Sequence, residues 1–152
     1  METVLILYHS QQFGHTHAMA QGVAEGVRAA GAEPVLVNTN ETRMNVDAYR
    51  AYKAVAFGSP DYFSYIAGGL KTFLDDWYIA RGHDSSGLEG KPLGLFYSHG
   101  GGGAVRGPME NLFSRLGTPV GPTVESRGRP GAAALEACRA LGRQLAQAAL
   151  KK

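Results

Sequence analysis

The sequence predicts an α/β fold, a doubly wound three-layer sandwich built on a parallel sheet. Short, continuously apolar runs recur along the chain, amphipathic stretches with helical spacing separate them, and the connections are short. Residues 4–8 are apolar throughout, as a strand buried on both faces must be, and are placed as a central parallel strand. After a polar, glycine-containing loop, Met19, Val23 and Val27 repeat every four residues with alanines between them; this helix should stop near Gly31. Residues 35–37 form a second short strand, followed by a polar connection and a short helix around 46–50. Residues 53–57 are the third strand, and Gly58-Ser59-Pro60 is expected to end it, because proline cannot continue a central ladder. Leu70, Phe73, Leu74 and Trp77 fall at i, i+3, i+4 and i+7, one face of a helix packed on a sheet. Residues 93–97 are the fourth strand, 108–116 are helical in pattern, and 119–124 supply a short fifth strand. Leu135, Cys138, Leu141 and Leu145 mark a final amphipathic helix. Right-handed crossovers then place helices on both faces of the sheet.

A chain of 152 residues is expected to form one domain, 1–152, since two of usual size would not fit. With 15 Lys plus Arg against 13 Asp plus Glu, the net charge of +2 carries no polyanion signal, so nucleic acid is not an expected partner. The single Cys138 excludes an internal disulfide and a thiolate metal cluster, and its place on an apolar stripe predicts a buried, inert thiol. The N-terminal apolar run is too short to span a bilayer and lacks a basic leader and a small-residue cleavage site. No targeting or membrane segment is read, and the expected compartment is the cytoplasm. Glycine is the compositional oddity: 21 residues, nine of them between Gly82 and Gly107.

In doubly wound sheets ligands sit outside the carboxyl ends of the strands, where the strand order reverses. That rule selects three loops: 8–17, 58–69 and 97–107. The first leads from a buried strand into a helix and carries Ser10, Gln12, Phe13, Gly14, His15 and Thr16. Free amides at the helix start and the hydroxyls beside them suit an anion, and no Lys or Arg lies in the loop. An N-capped helix with no ligand is the competing reading. The second loop places Pro60, Asp61, Tyr62, Phe63 and Ser64 after a proline-stiffened strand end. Its two aromatics offer a planar surface for stacking, or serve simply as loop anchors. The third contains Ser98 and His99, then Gly100, Gly101, Gly102 and Gly103. Residues without a Cβ let a backbone approach a flat ligand and turn its amides toward the ligand's edge, unless the run is only an exposed flexible loop. His99 is the candidate acid or base. His9, His15 and His17 cluster in sequence but have no carboxylate or cysteine near them, so no metal site is expected; Asp75 and Asp76 read as helix-surface charges.

These loops carry a resemblance. Gly14 and Thr16 match the Ser/Thr-x-Thr-Gly-x-Thr phosphate loop of the flavodoxin family, with Ser10 matching when one extra residue is allowed and Phe13 standing where many members have threonine. The Phe13-Gly14-His15 run, the stretch Phe57-Gly-Ser-Pro-Asp-Tyr-Phe followed by Phe73-Leu-Asp, and the Ser98-to-Gly103 run resemble the tryptophan-repressor-binding-protein branch, the NAD(P)H:quinone oxidoreductases. The resemblance implies a five-stranded sheet of order 2-1-3-4-5 and non-covalent FMN, with its phosphate on the first loop and its ring between the second and third. The flavin would do the redox chemistry and the protein would position it.

Three functions then compete: a two-electron reductase fed by NAD(P)H, a flavodoxin-type single-electron carrier between redox proteins, and a receiver domain of the same topology without flavin. The receiver needs an acidic pair after the first strand and an aspartate after the third. This chain has His9-Ser10 and Gly58-Ser59 there, which removes that reading. Shuttle flavodoxins are characteristically very acidic, and this chain is slightly basic. The ring-bearing loop 60–66 has no glycine, so a peptide flip favouring the one-electron state is expected to be hard. Against the reductase, the chain reads as shorter than typical members of that branch, lacking a segment after the fourth strand that helps build their oligomer. The expected partners are a small-molecule electron donor or acceptor or a redox protein, with a homo-oligomer left open.

Overall fold

A computed structural model describes residues 1–151. The elements in chain order are β1 (Thr3–Tyr8), α1 (His15–Ala29), β2 (Glu33–Asn38), α2 (Val46–Tyr49), β3 (Ala54–Pro60), α3 (Gly68–His83), β4 (Lys91–His99), α4 (Arg106–Phe113), β5 (Gly117–Pro119), β6 (Val124–Arg127) and α5 (Ala132–Leu150). All strand pairs are parallel and the order is β2-β1-β3-β4-β5, with β6 also on β4. The α/β fold and its strand order are those expected from the sequence. β1, β3 and β4 alternate between two cores because they are buried on both faces. Leu5, Leu7, Val55, Phe57, Leu93 and Leu95 pack under α2, α3 and α4, while Val4, Ile6, Ala54, Ala56 and Phe96 pack under α1 and α5.

Two expectations about strand ends are corrected. The fifth strand, placed at 119–124, is in fact two pieces that flank most of that segment. β5 pairs Lys91–Gly117 through Leu93–Pro119, and β6 pairs Phe96–Val124 through His99–Arg127. Val120 still donates its N–H to the Leu93 carbonyl, but Pro122 has no N–H with which to carry the ladder across. The third strand runs on through Gly58 and Ser59 to Pro60, which pairs with Ser98. Asp61 N–H donates toward β4, to the Ser98 carbonyl, so the preceding position faces the other way. There β1 has already ended at Tyr8, and the missing proline donor breaks no bond.

At the opposite edge of the sheet Lys91 is buried, its Nζ donating to the carbonyls of Tyr52 (2.5 Å) and Arg50 (3.2 Å) and lying 5.0 Å from the Tyr49 ring centre. Burial, and then the charge of Lys53, lower its pKa to about 8. An unfolded lysine titrates near 10.4, so between these values the unfolded chain binds more protons than the folded one. This group's contribution to stability is therefore least below pH 8 and rises as pH climbs toward about 10. Urea unfolding of the wild type and Lys91→Met at about pH 7 and about pH 10 should show the wild type gaining relative to the variant. A pH-independent difference would refute the assignment.

Candidate cofactor site

The three loops selected from the sequence converge at the carboxyl edge of β1, β3 and β4. In the first, Gly14 takes the left-handed conformation (φ 76°) that starts α1, and its carbonyl accepts the Ala18 N–H. No side chain caps this helix and no acidic residue lies in its first turn, so its leading amides remain available to an anion. Thr16 is buried and shares a 2.8 Å hydroxyl–hydroxyl hydrogen bond with Ser98, tying the helix start to the end of β4. Ser10 is held on both sides by Asn38, whose Oδ1 accepts the Ser10 N–H and whose Nδ2 donates to the Ser10 carbonyl, both at 3.0 Å. The sequence reading did not single out Asn38. The available signal was parallel pairing itself, which puts the last residue of β2 beside Tyr8.

The second loop is a tight turn in which Tyr62 and Tyr65 exchange both backbone hydrogen bonds (3.1 and 3.0 Å). Its central residues, Phe63 (φ 56°) and Ser64 (φ 61°), are both left-handed, a conformation usually filled by glycine or asparagine. Asp61 holds it: Oδ1 accepts the Ser64 N–H at 2.8 Å, while Oδ2 accepts the Val105 N–H at 3.2 Å from the far end of the third loop. Phe63 is fully exposed to solvent.

In the third loop a Cβ on Gly100, Gly101 or Gly102 would meet nothing within 4 Å. The fold itself does not require glycine there, whereas a flat ligand lying against the backbone would fill that space. The His99 side chain is only 6% exposed and turns under the loop toward β6. Its Nδ1 accepts the Gly101 N–H at 3.2 Å and its Nε2 lies 3.2 Å from Glu125 Oε2, which also accepts the Tyr97 hydroxyl at 2.6 Å. Burial first, and then the bond to Glu125, push the Tyr97 phenol up to about 12. The Tyr97 bond is the main reason the Glu125 carboxyl is held below its usual range.

Two adjoining recesses lie between the loops. Ser10, Gln12, Phe13, Gly14, His15 and Thr16 line the smaller together with Pro60, Tyr62 and Ser98. Asp61, His99 and Gly100 join the wall of the larger, with Gly128 of the β6–α5 connection. Of the residues selected from the sequence, Phe63, Ser64, Gly101 and Gly102 lie outside both walls. The histidines are each engaged separately. His17 Nδ1 shares a hydrogen bond with the Tyr8 hydroxyl (2.6 Å), His9 bonds Thr39 (2.9 Å) and Gln11 (3.0 Å), and His15 stacks on Phe13. Asp75 and Asp76 pair with Lys71 and Arg43 on the surface, and Cys138 is buried, its thiol pushed up to about 12 by burial.

The flavodoxin family model matches residues 6–142. The chain is similar to a solved archaeal flavodoxin (21% identity, TM-score 0.79, covering 95% of this chain and 96% of that one). It is also similar to two-electron reduced Megasphaera elsdenii flavodoxin (27% identity, TM-score 0.76, 94% and 98%). A flavodoxin, WrbA-like protein from Agrobacterium tumefaciens matches at 25% identity and TM-score 0.68, with 98% of each chain covered, so shortness alone does not set this chain apart from proteins described that way. A family match over nearly the whole sequence, joined to a doubly wound sheet whose three carboxyl-edge loops converge on one pair of recesses, places the chain in the flavodoxin family.

Proposed function

We propose that this chain is a flavoprotein that holds FMN non-covalently in the paired recesses and acts as a small NAD(P)H-dependent oxidoreductase of the quinone-reductase kind. When bound, FMN supplies hydride acceptance from the nicotinamide and delivery of two electrons to a quinone-like acceptor. The observation that carries the reading is the juxtaposition of two unlike surfaces in one site. An uncapped helix start with buried hydroxyls suits a phosphate, and beside it a tyrosine-lined turn faces a glycine run whose missing Cβ atoms leave space. Ser10, Gly14 and Thr16 hold the phosphate. Pro60, Asp61 and Tyr62 form one wall for the ring, and Ser98, His99 and Gly100 the other. No proton transfer is assigned to His99, because its imidazole faces Glu125 beneath the loop.

The geometry of the second loop favours two-electron chemistry. Turning over the Phe63–Ser64 peptide would convert the turn to its other mirror form, leaving the first central residue in a conformation open essentially to glycine. Phenylalanine at that position opposes the flip that would offer a new hydrogen bond to the ring after one electron. The two one-electron potentials are therefore expected to lie close together or crossed. The carrier reading keeps its own support in the flavodoxins among the similar structures, and the slightly basic charge would suit an acidic partner.

The decisive experiment is a visible spectrum of the protein with added FMN, followed by bleaching with NADH and NADPH, with and without a quinone, and a redox titration. A yellow complex bleached by a nicotinamide in one two-electron wave is expected. Failure to bind micromolar FMN removes the reading. Two well-separated one-electron steps without nicotinamide oxidation assign the chain to the carriers.

A further inference from the structure

We propose that Glu125 is a positioning residue that, through His99 and Tyr97, sets the height of the glycine loop against the flat part of the cofactor. This rests on the FMN reading for its consequence, though not for its geometry. Glu125 lies on β6, in register with Tyr97 of β4, so it reaches across the sheet edge from outside the three loops that the sequence singled out.

Gly101 N–H donates to His99 Nδ1, so a neutral His99 carries its proton on Nε2. That nitrogen is buried and has no well-aligned acceptor, while Glu125 Oε2 stands 3.2 Å away. The carboxylate thus collects the Tyr97 hydroxyl at 2.6 Å and sets a negative charge 3.2 Å from the imidazole nitrogen. Gly103, left-handed at φ 65°, rests on the same pair: a Cβ there would come within 2.9 Å of Glu125 Oε2 and 3.3 Å of His99 Nε2. The His99 carbonyl accepts Gly128 N–H at 2.7 Å, which fixes the residue to the end of β6. Residues 100–102 therefore bridge two fixed ends, His99 held by Glu125 and Val105 held by Asp61, with open space in front of them. Without the Glu125 carboxylate, the Tyr97 hydroxyl loses its acceptor and the buried His99 Nε2–H loses the carboxylate that stands 3.2 Å from it. The imidazole is then free to turn and release the Gly101 amide.

The test compares the wild type with Glu125→Ala, Glu125→Gln and Thr16→Ala. Three quantities are read: the amide exchange of Gly101 and the imidazole nitrogen shifts of His99 in protein free of flavin, and the affinities for FMN and for riboflavin, which lacks the phosphate. In Glu125→Ala the Gly101 exchange should speed up and the His99 Nε2–H signature should be lost. FMN and riboflavin should weaken by the same factor, roughly tenfold, as for a lost hydrogen bond to a charged group. Glu125→Gln keeps one acceptor oxygen and should fall between. Thr16→Ala, at the phosphate end, should weaken FMN and leave riboflavin nearly unchanged. Unaltered Gly101 exchange and His99 signature in Glu125→Ala would overturn the proposal, as would a loss confined to FMN. If the wild type binds neither flavin, the FMN reading fails, and the exchange and nitrogen-shift measurements still decide whether Glu125 positions the loop.

Discussion

Gly26→Ala should cost about 3 kcal/mol of folding stability, where overpacking of a core typically costs about 1–3 kcal/mol and occasionally more. The same change at Gly82 should gain about 0.5 kcal/mol, since helix propensity favours alanine over glycine by up to about 1 kcal/mol. Both glycines lie within helices and differ in what faces them. A Cβ on Gly26 of α1 would fall 2.0 Å from the Arg139 carbonyl oxygen of α5, and one on Gly142 of α5 would fall 2.0 Å from the Val23 carbonyl oxygen of α1. The two helices cross backbone to backbone, and no rotamer change relieves a clash with a main-chain oxygen. They must separate, loosening the Val23, Val27, Leu141 and Leu145 side chains that both lay on Val4, Ile6 and Ala56. Gly82, near the end of α3, is exposed and would place its new methyl in open space. Urea unfolding of the two single variants decides it. A gain in both variants would show that propensity, and not close approach, governs these positions.

That contact also marks where the sequence stops being informative. Apolar runs at 4–8 and 93–97 read as buried strands because a strand covered on both faces has no polar alternative, and i, i+3, i+4 spacing exposed the packed face of α3 just as directly. The glycines were less legible. Their concentration between Gly82 and Gly107 pointed to the third loop, yet Gly26, Gly58, Gly94 and Gly142 are needed for contacts that run through the cores, with Arg139, Phe96, Leu141 and Val23. One sequence does not say which residue will face a glycine. The same limit applies to the site. Residues on the three loops follow from the rule that ligands sit at strand carboxyl ends, whereas Asn38 and Glu125 arrive by pairing from β2 and β6. Glu125 was hidden further because the fifth strand was placed as one segment, and only its division at 120–123 brings Val124 opposite Phe96 and Glu125 opposite Tyr97.

Asp61→Ala should lower FMN affinity on the order of a hundredfold, the equivalent of about 2.7 kcal/mol. One carboxylate serves both walls proposed for the ring: Oδ1 takes Ser64 N–H in the second loop and Oδ2 takes Val105 N–H at the end of the third. Hydrogen bonds to a charged group contribute about 1.5–3 kcal/mol each, and this pair is worth more to binding than to folding because it fixes the gap between two surfaces that a ligand must bridge. The Ser64 bond also restrains a turn under tension. Two adjacent non-glycine residues in the left-handed region cost roughly 1–2 kcal/mol each, so without the Asp61 acceptor the turn should relax and carry Tyr62 with it. Asp61→Asn can accept only one of the two N–H groups through its single carbonyl oxygen. It should keep the shorter Ser64 bond and lose the Val105 bond, giving a smaller loss. Phe63→Gly removes the strain at the first of the two positions and should recover part of the stability lost in Asp61→Ala without restoring affinity, since Val105 remains untethered. Flavin fluorescence titration and urea unfolding of the three variants and the double variant separate these effects. FMN affinity within twofold of wild type in Asp61→Ala would show that the two loops hold their spacing without this residue.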